Sequence, residues 1–267
     1  MIFFANAKIN LGLQVLRKRE DNYHEISSLM YPIPYTDVLE ILPSEQFDFE
    51  VVGKEIEGDI ESNLVVKAYR LMEAKYEFPC VRIILQKNIA MGAGLGGGSS
   101  DASFVLKSLN EMFELGATDT ELKEMAAQLG SDCPFFIENT PQIASGTGTT
   151  LSSFDLDLKG MYLHLVCPSV HVSTQDAYAG IVPENKAFDY STLKSIDFNF
   201  WRKNLCNDFE KSVFAKFPEL KEIKNRFIEN GAEYASMSGS GSSIFGLYRN
   251  KPEAWGNLDF EQRIFQL

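Results

Sequence analysis

The residues from Gly92 to Ala102 read Gly-Ala-Gly-Leu-Gly-Gly-Gly-Ser-Ser-Asp-Ala, with five glycines in the first seven positions. So few Cβ atoms let a ligand approach the backbone closely. An apolar, strand-like segment, Val81 to Leu85, precedes the run. A helix-like segment from Ala102 to Phe113 follows it, with Phe104, Val105, Leu106, Leu109 and Phe113 at helical spacing. Ser99, Ser100 and Asp101 are suitable N-cap residues. A glycine loop opening into a helix N-terminus offers free N–H groups and the positive end of the helix dipole, which together suit a phosphate. The alternative is a plain glycine connection between a strand and a helix.

Two familiar phosphate loops do not fit. A Walker loop requires Lys-Ser/Thr after its last glycine, and the next lysine is Lys107. Gly92, Gly94 and Gly97 match the spacing of a dinucleotide fingerprint, but that motif needs a second strand after the helix. Here a second helix follows, Thr120 to Leu129, with Gly130 as its stop.

Three other segments carry groups able to do chemistry. Lys8 and Asn10 share the polar face of a strictly alternating strand, Ala7 to Val15, opposite Ile9, Leu11, Leu13 and Val15. Asp132 lies between a helix and an apolar segment, where partial burial would suit a carboxylate for proton transfer. A turn aspartate is the simpler reading, since its neighbours Gly130, Ser131 and Pro134 favour turns. Ser236 to Ser243 forms a second small-residue loop, equally suited to a ligand clamp or a helix–strand connection.

These groups need a scaffold, and the remaining pattern is mixed α and β. Val38–Leu42, Phe47–Val52, Phe135–Ile137, Met161–Cys167 and Ser243–Tyr248 read as strands, with Arg263–Phe265 a short one. Ser62 is positioned to cap a helix through Tyr76. Asp208 to Asn230 reads as helix, interrupted at Pro218 and stopped at Gly231. A boundary near residue 150 divides the chain into 1–150 and 151–267, and without a Pro/Ser-rich linker the halves are not expected to be independent.

Composition excludes several classes. The 267 residues are 45% hydrophobic and 23% charged, ordinary for a soluble globular protein. No apolar run approaches a membrane span, and the N-terminus lacks a signal-peptide layout. A net charge of −12 argues against general nucleic-acid binding, so an anionic substrate must be held by local groups. Cys80, Cys133, Cys167 and Cys206 are scattered and read as reduced. His24, His164 and His171 have no metal-ligand spacing. The expectation is a cytoplasmic enzyme or binding protein with no membrane or nucleic-acid partner and no metal-ligating residues of its own.

Taken in order, Ala7-Lys8-Ile9-Asn10-Leu11, Gly94-Leu95-Gly96-Gly97-Gly98-Ser99-Ser100 and Ser238-Gly239-Ser240-Gly241 resemble the three motifs of the GHMP kinases over nearly the whole chain. Asn22-Tyr23-His24 and Gly130-Ser131-Asp132-Cys133-Pro134-Phe135 resemble a subgroup whose acceptor carries a cytidine diphosphate. Ala90 stands where that subgroup has proline, and Thr149 where a glutamate is common. The resemblance implies an α+β fold, with a ribosomal S5 domain 2-like N-terminal half and a ferredoxin-like C-terminal half. It implies an ATP-dependent small-molecule kinase, with Mg²⁺, acting on a cytidyl diphosphate sugar alcohol on the non-mevalonate route to isopentenyl diphosphate, as a monomer or homodimer. Asp132 would take the hydroxyl proton. Lys8 would orient that carboxylate and lower its pKa, or steady developing charge. Ala90, Met91, Gly92, Ala93, Gly94, Leu95, Gly96, Gly97, Gly98, Ser99 and Ser100 would wrap the phosphates. Asn63, Leu64 and Lys87 would line the adenine pocket, and Asn10, Tyr23, His24, Thr174 and Tyr178 would bind the acceptor. The alternatives are another GHMP kinase, acting on mevalonate, homoserine or a sugar, and a nucleotide-binding protein without catalysis.

Overall fold

The computed structural model describes residues 1–55, 58–256 and 260–267. The chain forms two compact units, and each draws on separate stretches of sequence. The first comprises Met1–Ala7, Tyr35–Met91 and Gly96–Thr140; the second comprises Lys8–Pro34, Gly92–Leu95 and Pro141–Leu267. Two long strands, β1 (Ile2–Lys18) and β2 (His24–Pro43), each have one end in either unit.

In the first unit, β3 (Asp48–Gly53) pairs in parallel with β4 (Val81–Lys87), which pairs antiparallel with the end of β2, placing Leu39 opposite Leu85 and Phe49 opposite Ile83. Four helices accompany these strands: α1 (Leu64–Lys75), α2 (Gly97–Met112), α3 (Asp119–Leu129) and α4 (Phe135–Glu138). The core joins Leu39, Ile41, Ile83 and Leu85 from the strands with Val65, Tyr69, Val105, Leu109 and Leu122 from the helices. Thr118 and Glu121 form a reciprocal capping box at the start of α3, and Gly130 ends it as expected.

Three local expectations are corrected in this unit. Phe135–Ile137 is helical, not extended; all three residues are buried, and so short an apolar run carries no period that separates strand from helix. The cap of α1 is Asn63, whose Oδ1 accepts the Val65 N–H at 2.9 Å, whereas Ser62 closes a short 3-10 turn. Helix α2 starts earlier than its side chains suggest, at Gly97. Its N-cap is Gly96 at φ +70°, so Ser99, Ser100 and Asp101 lie inside the helix.

In the second unit, the first part of β2 pairs antiparallel with β5 (Gln142–Gly146), which pairs with β6 (Thr150–Ser153). A four-stranded antiparallel sheet follows the order β10 (Glu261–Gln266), β7 (Tyr162–Cys167), β9 (Ile244–Tyr248), β8 (Tyr234–Met237). Helices α5 (Thr174–Ala179), α6 (Phe198–Asn204), α7 (Phe209–Lys216) and α8 (Pro218–Glu229) accompany it. Pro218 separates α7 from α8 and serves as the first residue of the latter, where its missing N–H is not needed. This core gathers Val166, Ile244 and Met237 from the sheet with Phe209, Val213, Leu220 and Phe227 from the helices.

Candidate active site

Within the second unit, an ordered polar chain surrounds Lys8. Strand β1 buries both of its faces, so Lys8 and Asn10 are only 3% and 1% exposed and need polar partners. The Lys8 ammonium donates to Asn10 Oδ1 at 2.7 Å. Asn10 Nδ2 donates to Ser28 Oγ at 2.7 Å, and Ser28 donates to the Gly12 carbonyl at 2.7 Å. Each link satisfies the next, which fixes the lysine head in one position.

The first part of the glycine loop lies against this chain. The Leu95 carbonyl accepts the Lys8 N–H at 3.0 Å. Ser238 Oγ accepts the Asn10 N–H at 3.3 Å and donates to the Gly94 carbonyl at 2.8 Å. A Cβ on Gly94 would fall 2.0 Å from the Ser238 carbonyl oxygen, at a backbone φ of +75°. The two loops can come this close only because Gly94 carries no side chain. Ser238–Gly241 is therefore a packing partner of the glycine loop, a role that spacing alone left open.

The aromatic residues divide. His24 stacks on Tyr178 with ring centroids 4.6 Å apart and planes 20° from parallel. Burial, and then Lys18, hold the His24 imidazole below its usual pKa, so it favours the neutral, stacking form. Tyr178 also meets Phe209 edge-on at 4.7 Å, and Ser212 ties α5 down by donating to the Ala177 carbonyl at 2.7 Å. Tyr23, by contrast, is 67% exposed, and Thr174 is exposed at the first turn of α5.

Within the first unit, the remaining loop residues open α2. No side chain caps this helix, so its first N–H groups stay available to a ligand. Ser100 Oγ is buried in the first turn with no hydrogen-bond partner among the described residues. Both features fit a phosphate. Leu64 lies 4.0 Å from where a Gly98 Cβ would stand, and Asn63 is spent on capping α1. Ala90 is half-buried and Met91 is 52% exposed. Asp132 is half-buried in the turn between α3 and α4. Its neighbour Cys133 is buried, which pushes the thiol up to about 11 and leaves it neutral.

Lys87 lies in a buried charged cluster. It is 2% exposed, and its ammonium lies between the carboxylates of Asp37 and Asp101. Sequence reasoning missed this cluster. Asp101 looked like a helix cap, and Asp37 gave no signal beyond being a charge at the start of the apolar run Val38–Leu42.

The chain is similar to known proteins along nearly its whole length. Residues 63–139 match the family model for the GHMP kinases N terminal domain, and residues 181–254 match that for GHMP kinases C terminal. The chain belongs to the GHMP kinase family. It is 49% identical to the 4-diphosphocytidyl-2-C-methyl-D-erythritol kinase of Bacteroides fragilis over 98% of this chain and 96% of that one. It is 45% identical to the enzyme of the same name from Cytophaga hutchinsonii, over 96% and 95% of the two chains. A crystal structure of 4-(cytidine 5'-diphospho)-2C-methyl-D-erythritol kinase superposes with a TM-score of 0.78 at 35% identity, covering 92% of this chain and 90% of that one. A homoserine kinase from Cytophaga hutchinsonii shares the fold at TM-score 0.64 and 15% identity.

Proposed function

We infer that this chain transfers the γ-phosphoryl group of ATP to the 2-hydroxyl of 4-diphosphocytidyl-2-C-methyl-D-erythritol, a step of the methylerythritol phosphate route to isoprenoids. The observation that carries this reading is near-full-length identity of 45–49% to kinases of that name, combined with Lys8, Asp132 and the glycine loop at their motif positions.

The residues take the following roles. The N–H groups at the start of α2, with Gly92 to Ser100, hold the ATP phosphates, and Asn63 and Leu64 border the adenine. Asp132 accepts the proton of the attacking hydroxyl. Lys8, held by Asn10, supplies positive charge to the reacting groups. The stacked pair of His24 and Tyr178 provides an aromatic face for cytosine, with Tyr23 and Thr174 beside it in sequence. Mg²⁺, when bound with the nucleotide held at the start of α2, would supply neutralisation of the phosphate charge. Phosphoryl transfer relies on positioning and charge stabilisation, and these groups provide both. In this reading residues 1–150 carry the ATP machinery, 151–267 complete the fold, and the enzyme works in the cytoplasm as a monomer or homodimer. No helix of the described residues is long and apolar enough to cross a membrane.

The test is an ATP-consumption assay across candidate acceptors. The cytidyl substrate should be phosphorylated, while methylerythritol phosphate, mevalonate and homoserine should not. Efficient use of an acceptor lacking cytosine would move the chain to another GHMP activity.

A further inference from the structure

The buried cluster around Lys87 lies beneath the glycine loop, within the first unit. Lys87 Nζ donates to Asp101 Oδ2 at 2.7 Å and to Asp37 Oδ2, and all three side chains are at most 2% exposed. The other oxygen of Asp37 accepts the N–H groups of Asn88 at 2.5 Å and Ile89 at 2.8 Å. A Cβ on Gly97 would stand 3.1 Å from Lys87 Nζ and 2.9 Å from Ile89 Cγ2. The Lys87 carbonyl in turn accepts the Lys54 N–H at 2.9 Å. The chain leaves this unit after Met91 and re-enters it at Gly96. Residues on both sides of that excursion, 87–89 and 97–101, therefore meet at one ammonium group.

This arrangement leaves little of Lys87 for reading a base. Its ammonium donates to two buried carboxylates and lies close to Gly97. We propose that Lys87 is a positioning residue that clamps the two ends of the phosphate loop, so that the open N–H groups of α2 stay aimed at the phosphates. The proposal rests on the reading of that loop as the ATP site. Charge supports it. Two ionised carboxylates with one ammonium would leave a net negative charge at the N-terminus of α2, where the helix dipole should attract phosphate. Burial, with Asp37 alongside, pushes the Asp101 carboxyl up to about 8 against the pull of Lys87. Burial draws the Lys87 ammonium down, but Asp101 and Asp37 outweigh it and hold it above its ordinary value. Near neutral pH Asp101 thus keeps its proton beside the Lys87 ammonium, which removes negative charge from the cluster. Asp37 from β2 and Lys87 from β4 are the charged groups acting on Asp101 among the described residues.

Lys87→Met alone would strand Asp37 and Asp101 and endanger folding. The paired variant Lys87→Met/Asp101→Asn removes both ends of the Lys87–Asp101 contact. Calorimetry with ATP and GTP should show both affinities falling together, about 10- to 100-fold, as expected for losing charge-assisted hydrogen bonds. The ATP-to-GTP ratio should stay within about twofold of wild type, and the KM for the acceptor should hold. A collapse of that ratio would make Lys87 a base reader and overturn the clamp. A folded variant that binds ATP like wild type would also overturn it. A wild-type protein that binds no ATP would overturn both the clamp and the functional reading on which it rests. The near-isosteric Asp101→Asn gives an independent readout should the paired variant not fold. Wild-type ATP affinity should weaken as pH rises through about 8, and the single variant should lack that step. The same step in both proteins would count against the clamp.

Discussion

The hydroxyl of Ser103 lies 2.7 Å from the carbonyl oxygen of Cys133 and 2.8 Å from that of Ser99. One residue on α2 is therefore placed against the end of the glycine loop and against the neighbour of Asp132. A single hydroxyl proton serves one carbonyl at a time, so the two backbones share it. Ser103→Ala should lower turnover about 2- to 10-fold, the worth of one neutral hydrogen bond, with a smaller change in melting temperature than a core truncation gives. Steady-state kinetics beside a thermal melt would separate the two effects, and unchanged turnover would show that Asp132 does not depend on this contact.

Asp132→Asn keeps the shape of the side chain and removes its ability to take a proton. Turnover should fall by roughly 10²–10⁴ while ATP binding is largely kept. Near-normal turnover in a folded variant would remove Asp132 from its role as base.

Gly94→Ala should be among the most damaging small changes in the chain. The added methyl would meet the Ser238 carbonyl at 2.0 Å, and the backbone sits at φ +75°. We expect lost ATP affinity and a lower melting temperature together, since the two loops must part to admit the methyl. Gly116→Ala provides a control, because it shares the positive φ of +73° but has nothing within 4 Å of the added atom. If the two variants behave alike, backbone strain rather than the close contact sets the effect.

Tyr178→Ala should weaken use of the cytidyl acceptor by roughly 5- to 150-fold, the range expected for losing one stacked base. It also removes the ring under His24, 4.6 Å away. ATP affinity should barely change. Equal losses for both ligands would mean that the pair only packs α5.

The stability of the fold should depend on pH through Asp101. Unfolded, its carboxyl titrates near the ordinary 3.8; folded, burial keeps the proton on up to about 8. Between those values the folded state binds more protons than the unfolded state, so this group's contribution falls as pH rises through the window and levels off above it. Asp101→Asn cannot lose a proton. Its melting temperature relative to wild type should therefore climb from about pH 5 to about pH 8.5. A gap that stays constant would show that Asp101 is ionised throughout.

The site was legible where the sequence is locally unusual. The glycine run from Gly92 to Gly98 stands out because dense glycine is unfavourable in an ordinary strand or helix. That same property concealed the start of α2: Gly97 and Gly98 are poor helix formers, so the small polar residues after them looked like the cap. Only Val38–Leu42 of β2 was read as a strand, although β2 extends back to His24. The intervening Pro32 and Pro34 obscured a continuous strand. The ion pair of Lys87 and Asp37 spans 50 residues of sequence. No helical or strand period links positions so far apart, so only the fold brings them together.

The division of β1 and β2 between units also has a consequence for biosynthesis. The first unit is complete once residue 140 has been made, whereas the second needs Lys8–Pro34 from the start of the chain and β10 from its end. Leu13 bonds through its backbone to Cys206 and Asp208, which are synthesised almost two hundred residues later. On the ribosome, the backbone of Leu13 therefore waits for these partners through most of translation. Nascent chains stalled after residue 140 should accordingly resist protease in 60–91 and 96–140 while remaining cleavable around Leu13.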